Sequence, residues 1–227
     1  MRTGTRICTI LVLLVVATSA LAFDGQRKGF IFGLDFGMGA TYIKSKSELG
    51  DQSVWKGAPA VGFKIGLATN NRTVIFMGTK SSLAYMDRIA NAYDTYTDAM
   101  GDGGLKGVFA TIASPIVLPI LWMGGAHSTF GLIGLAYYFQ DQAPSFFVEG
   151  TLGAGIIPDE FREDTVGGFG MSVAAGYEFS PHYSIRCDLL YGTEERNQDE
   201  DRYPYTINPE PHSSAFSVLL TVNALAY

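Results

Sequence analysis

The chain has 227 residues, with 16 basic and 22 acidic side chains, a net charge of -6 and only 17% charged residues, against about 25% in an ordinary soluble domain. No basic stripe is present, which argues against a nucleic-acid partner, and the length suits one domain. Glycine supplies 27 residues and aromatics 13%, so a charge-poor chain has to be apolar in a way that a soluble domain is not.

At the N-terminus, Arg2 and Arg6 precede an apolar run from Ile7 to Val16. "ATSALA" then places small residues three and one positions before Phe23. This is the pattern of a secretory signal peptide, residues 1–22, cleaved after Ala22. The mature chain, 23–227, is therefore expected outside the cytoplasm. Losing Arg2 and Arg6 moves its net charge from -6 to -8. Cys8 leaves with the leader, Cys187 stays alone, and an intramolecular disulfide is excluded.

The remainder reads as eight period-2 segments divided by turn chemistry. Strands are predicted at about Gly29–Lys44, Ala58–Thr69, Arg72–Tyr85, Ser128–Phe139, Ser145–Ile157, Gly167–Ser180, Tyr183–Gly192 and Ala215–Tyr227. In the first, Phe30, Phe32, Leu34, Phe36 and Met38 alternate with Ile31, Gly33, Asp35, Gly37 and Gly39. The second, fifth, sixth and seventh repeat the division into a greasy face and a small face with one or two charges. The third, fourth and eighth are less regular.

A soluble barrel would cover its outside with charge. Here the polar face is too poor in charge for that and rich in Gly, Ala and Ser, as a narrow interior requires. The pattern fits a transmembrane barrel, apolar toward lipid and polar inside, with strands long enough to cross at a tilt. A basic side chain facing lipid at mid-depth costs about 2 to 4 kcal/mol. Asp35, Lys64, Lys80, Glu149, Glu178, Arg186 and Asp188 are accordingly expected in the lumen as a charge network.

Short connections fall at 69–72, 140–144 and 180–182. Long ones fall at 45–57, 86–127, 158–166 and 193–214, so that short and long alternate, as periplasmic turns and extracellular loops do. Tyr42, Trp55, Tyr85, Phe139, Tyr177, Phe179, Tyr183 and Tyr191 lie near strand ends, where aromatic girdles belong. The loop 86–127 does not fit easily. Its apolar part, 105–123, is interrupted by Pro115 and Pro119. It is open between a packed extracellular lobe or an extension of the third and fourth strands beyond the membrane, a further hairpin making ten strands, and an apolar site for a lipid or a protein.

"GFIFGLDFGMGATYI", "GLIGLAYYFQDQAPSFFVEGTLGAGI", "GMSVAAGYEFSPHYSIRCDLLYG" and the terminus "SVLLTVNALAY" resemble the small outer-membrane β-barrel family, the eight-stranded OmpA- and OmpX-type proteins. The resemblance covers most of 29–85 and 128–227. It implies an all-β, eight-stranded antiparallel transmembrane β-barrel in the outer membrane of a Gram-negative bacterium. It also implies outer-membrane lipid and lipopolysaccharide as surroundings, and recognition of the aromatic terminus by the barrel assembly machinery. The terminus departs from the usual alternation, because Thr221 and Asn223 share the parity of Tyr227.

An eight-stranded barrel has an interior just wide enough for side chains. The leading reading is a monomeric, non-enzymatic barrel with a filled lumen, serving the envelope or surface interactions through its loops. A narrow channel or hydrophobic-ligand transporter is the alternative, motivated by 105–123 and the Gly-rich lumen. A third reading, by resemblance to lipid A-modifying barrels, would use His127, Ser128 and Glu149. Such a triad needs base and nucleophile within hydrogen-bond reach, which neighbours on one strand do not easily achieve. No cofactor is expected, and His127, His182 and His212 are too scattered for a metal site.

Overall fold

A computed structural model describes residues 27–47, 50–85, 88, 126–159, 164–194 and 212–227. They form β1 (Gly29–Ser47), β2 (Gly50–Ala68), β3 (Thr73–Ser82), β4 (His127–Tyr138), β5 (Ser145–Asp159), β6 (Asp164–Ser180), β7 (Tyr183–Glu194) and β8 (His212–Ala226). Each strand pairs antiparallel with the next, and β1 pairs with β8 to close a barrel. The alternation written into the sequence appears directly as burial. Along β7 every residue from Tyr183 to Gly192 switches between exposed and buried. Inside and outside are exchanged relative to a soluble protein, since the outer face carries Phe30, Phe36, Met38, Leu152 and Leu220 while Asp35, Lys64, Arg186 and Asp188 are buried.

Several expectations are corrected. Loop 45–57 is mostly strand: β1 runs to Ser47 and pairs with β2 out to Gly50. Loop 158–166 likewise shrinks, because β5 and β6 pair as far as Asp159 and Asp164. The reason is common to both. Beyond the bilayer both faces of a strand meet water, so segments such as "SKS" and "GDQS" lose the apolar alternation that marks a strand. Gly50 takes φ +117° at the start of β2, a backbone conformation that glycine adopts without steric cost. The ten-strand alternative has no place in the wall, since β3 pairs directly with β4 from Thr73↔Tyr137 to Ser82↔His127. The leader 1–22, the stretch 105–123 and most of loops 86–127 and 193–214 lie outside the described residues.

The irregular fourth strand has a local cause. Between Gly131 and Gly134, β4 holds one more residue than either β3 or β5 opposite it. This is a β-bulge, an extra residue that breaks the in–out alternation. Leu132 and Ile133 therefore both face outward, 66% and 74% exposed. A second bulge at Phe179 precedes the two-residue turn Pro181–His182.

Aromatic side chains collect at two levels. Toward the loop end, cross-strand pairing sets Trp55 beside Tyr42, Tyr42 beside Phe216, and Phe216 beside Tyr191. Toward the turn end lie Phe139, Phe146, Tyr177, Phe179 and Tyr183, with the Phe146 and Tyr177 rings 4.8 Å apart. The steps from Phe30 to Tyr42, at about 3.4 Å each and a tilt of about 40°, rise about 30 Å. That matches the hydrocarbon core of a bilayer. Tyr85 is the exception among the girdle candidates: it is buried with Ile43, Ile157 and Ala215. The chain has left the β3 ladder by then and turns this ring over the barrel mouth.

Candidate functional site

The lumen is where the polar chemistry is concentrated, and it is layered. At the turn end the small inward residues leave room for rings. A Cβ on Gly176 would come 2.5 Å from the Phe147 ring, and one on Gly134 would come 2.6 Å from Phe76. Phe76 and Phe147 pack with Ile31, Val74, Tyr138 and Leu225 into an apolar floor.

Arg27 seals this floor. Its guanidinium donates to the carbonyls of Asn71 (2.8 Å) and Gln140 (2.9 Å) and pairs with Glu178. It lies 3.9 Å above the Tyr138 ring. The Tyr227 hydroxyl donates to the same Glu178 at 3.2 Å, and His182 stacks on Tyr227 while its Nδ1 donates to the Leu225 carbonyl. Arg27 thus links the β2–β3 turn, the β4–β5 turn and β6. No periodic pattern singles out this residue, which precedes the first strand. The one available signal was an unclaimed basic residue next to an acidic excess inside.

Above the floor, six of the seven lumenal charge candidates meet. Arg186 donates from Nη2 to Glu149 Oε1 (2.6 Å) and from Nε to Asp188 Oδ1 (2.9 Å). Lys64 reaches Glu149 Oε2 at 2.6 Å, and Lys80 bridges Asp188 Oδ1 (2.8 Å) and Asp35 Oδ2 (3.0 Å). Thr221 donates to Asp188 and Asn223 to Asp35, so the β8 residues that break the usual terminal pattern are inward ligands of this network. Glu178, the seventh, belongs to the floor with Arg27. With Arg27 included, four cations face four carboxylates. Isolated charges buried here would each cost several kcal/mol, and pairing with further hydrogen bonds is what makes them tolerable.

The loop-end half has different chemistry. Thr41, on β1, shares hydrogen bonds with Ser82 (2.6 Å) and Ser217 (2.8 Å), and Ser217 in turn contacts His127 Nδ1 at 2.6 Å. His127 Nε2 has no hydrogen-bond partner among the described residues. It faces Gly192, where a Cβ would come within 3.0 Å of it. Ala60, Leu190 and Leu219 lie among these groups, and Tyr85 with Ile43 and Ile157 covers them. Lys56 and Arg88 stand 3.7 and 4.6 Å from the Tyr85 ring.

The catalytic candidates are not brought together. His127 bonds Ser217, Ser128 bonds Ser81 at 2.7 Å, and Glu149 is held by Lys64 and Arg186. His127, Ser128 and Ser217 are fully buried, so the hydroxyl–imidazole contact that does exist has no face open to a substrate. Outside the wall at the turn end, Arg72 donates to Asp141 at 2.7 Å. That hydrogen bond holds the Asp141 carboxyl below its usual range.

No protein-family model matches the chain, and no curated protein sequence does. Among solved structures it is similar to Ail, the attachment invasion locus protein of Yersinia pestis. That match has 9% identity and a TM-score of 0.42 over 87% of this chain and 99% of that one. It is also similar to Neisserial surface protein A (13%, TM-score 0.38, 86% and 96%) and to the outer membrane protein OprG from Pseudomonas aeruginosa (8%, TM-score 0.37, 89% and 99%). These likenesses are too distant to carry function, and the barrel is defined by its own register and faces.

Proposed function

We propose that this eight-stranded outer-membrane β-barrel is a closed scaffold, a side-chain-filled wall plug that serves the envelope and holds its loops at the cell surface, and not a conduit or an enzyme. The observation that carries this reading is the filled cross-section. The Arg27 floor, the ion-paired middle and the Tyr85 cover follow one another along the axis. The void beside Lys64, Lys80 and Glu149 is about 20 Å³, room for about one water. Cations and carboxylates that satisfy one another this fully leave little free charge to draw a solute through.

Lipid and lipopolysaccharide around the wall, assembly by the barrel machinery and a monomeric state accord with the apolar outer face and the aromatic terminus. Planar-bilayer recording on the purified chain tests the reading. No sustained open level is expected, and a stable, large conductance would sink it.

A further inference from the structure

The outer wall is not uniformly convex. Where β4 bulges, Leu132 and Ile133 stand out together, and with Met77, Ile75, Leu67 and Phe30 they flank a groove of about 510 Å³ that is open on its outer side. Phe30, Leu67 and Ile75 lie nearer the turns, and Met77, Leu132 and Ile133 lie one outward position or more farther along their strands. The groove therefore begins at the turn end and lies against the leaflet on that side. At its rim Thr69 is its polar lining residue. Lys28, exposed just before β1, and Arg72, bonded to Asp141, stand on the same rim.

We propose that this groove binds one anionic phospholipid of the leaflet at the turn end, its acyl chain laid against Leu132, Ile133 and Met77 and its phosphate at Lys28 and Arg72. The proposal rests only on the barrel spanning a membrane. Among the described residues of the rim, the two cations Lys28 and Arg72 stand against the carboxylate of Asp141, a balance that favours a negative headgroup over a zwitterionic one. Met77 adds an unbranched, adaptable side chain of the kind that follows a flexible ligand. A second barrel is a poorer occupant, because a two-fold contact would place like patches, Lys28 among them, face to face.

The test is native mass spectrometry of the full chain released from nanodiscs holding equal amounts of phosphatidylglycerol and phosphatidylcholine. One phosphatidylglycerol should remain on each monomer, several-fold in preference to phosphatidylcholine. Lys28→Glu, outside every strand, should remove that preference, and Leu132→Ala with Ile133→Ala should reduce retention of both lipids. Retention of neither lipid, equal retention by the unmodified chain, an unchanged preference in Lys28→Glu, or lipid carried only by a dimer would each overturn the proposal.

Discussion

The two halves of the lumen obey the same geometric rule with opposite chemistry. Both are built from inward positions of the same eight strands. The middle layer holds Asp35, Lys64, Lys80, Glu149, Arg186 and Asp188, each carboxylate touching cations from other strands. The loop-end layer holds Thr41, Ser82, His127 and Ser217 among Ala60, Leu190 and Leu219. The difference shows that a narrow interior tolerates either full charge with full pairing or no charge at all. A single unpaired charge belongs to neither layer.

Substitution in each layer should expose that difference. Arg186→Met leaves Asp35, Glu149 and Asp188 to share Lys64 and Lys80 and should have the largest effect, about 3 to 5 kcal/mol as expected when one partner of a buried pair is removed. Urea unfolding in lipid vesicles, followed by the mobility shift of the folded barrel, reads it; a loss under 1 kcal/mol would mean the network contributes little. Arg27→Ala removes one ion pair and two carbonyl caps from the floor. It leaves Glu178 with the Tyr227 hydroxyl and should cost about 3 kcal/mol, with faster hydrogen exchange confined to the three short turns. Gly192→Ala presses a methyl onto His127 Nε2, an overpacking effect of about 1 to 3 kcal/mol. It should loosen the amides around Thr41 and Ser217 and leave those around Arg186 protected.

Asp141→Asn, on the exposed rim, should be close to silent, as exposed pairs are. Because its carboxyl is held low by Arg72, whatever it contributes is present above the unfolded carboxylate range near about 3.9. That contribution fades only as pH falls through the lowered value. A stability profile that changes between pH 5 and 8 on this substitution would contradict the assignment.

Much of the layering was legible in the sequence because lipid enforces alternation wherever the wall is immersed. Phe36 beside Asp35 and Cys187 beside Arg186 and Asp188 needed only parity to be placed. Legibility failed where that enforcement stops. "SKSELGDQS" crosses into water and reads as a loop, although most of it is strand. At Leu132–Ile133 a bulge breaks parity while both residues remain apolar, so no polar signal marks the slip. Arg27 and Tyr85 lie beyond strand ends, where a side chain's direction is set by a turn and not by a repeat. Glu178 had the right face, but its partner was outside every periodic segment.

The β8 ligands also bear on how the protein enters its membrane. Beside its cations, Asp35 takes a hydrogen bond from Asn223 and Asp188 one from Thr221, and Glu178 takes one from the Tyr227 hydroxyl. Sealing the ring is thus the same event as completing the polar interior. A partly curled sheet would present both an unpaired edge and incompletely hydrogen-bonded carboxylates to hydrocarbon, each costly there. Intermediates of that kind are excluded from the bilayer core, so insertion is expected to be concerted, with the last strand acting as the licence for the first to leave water.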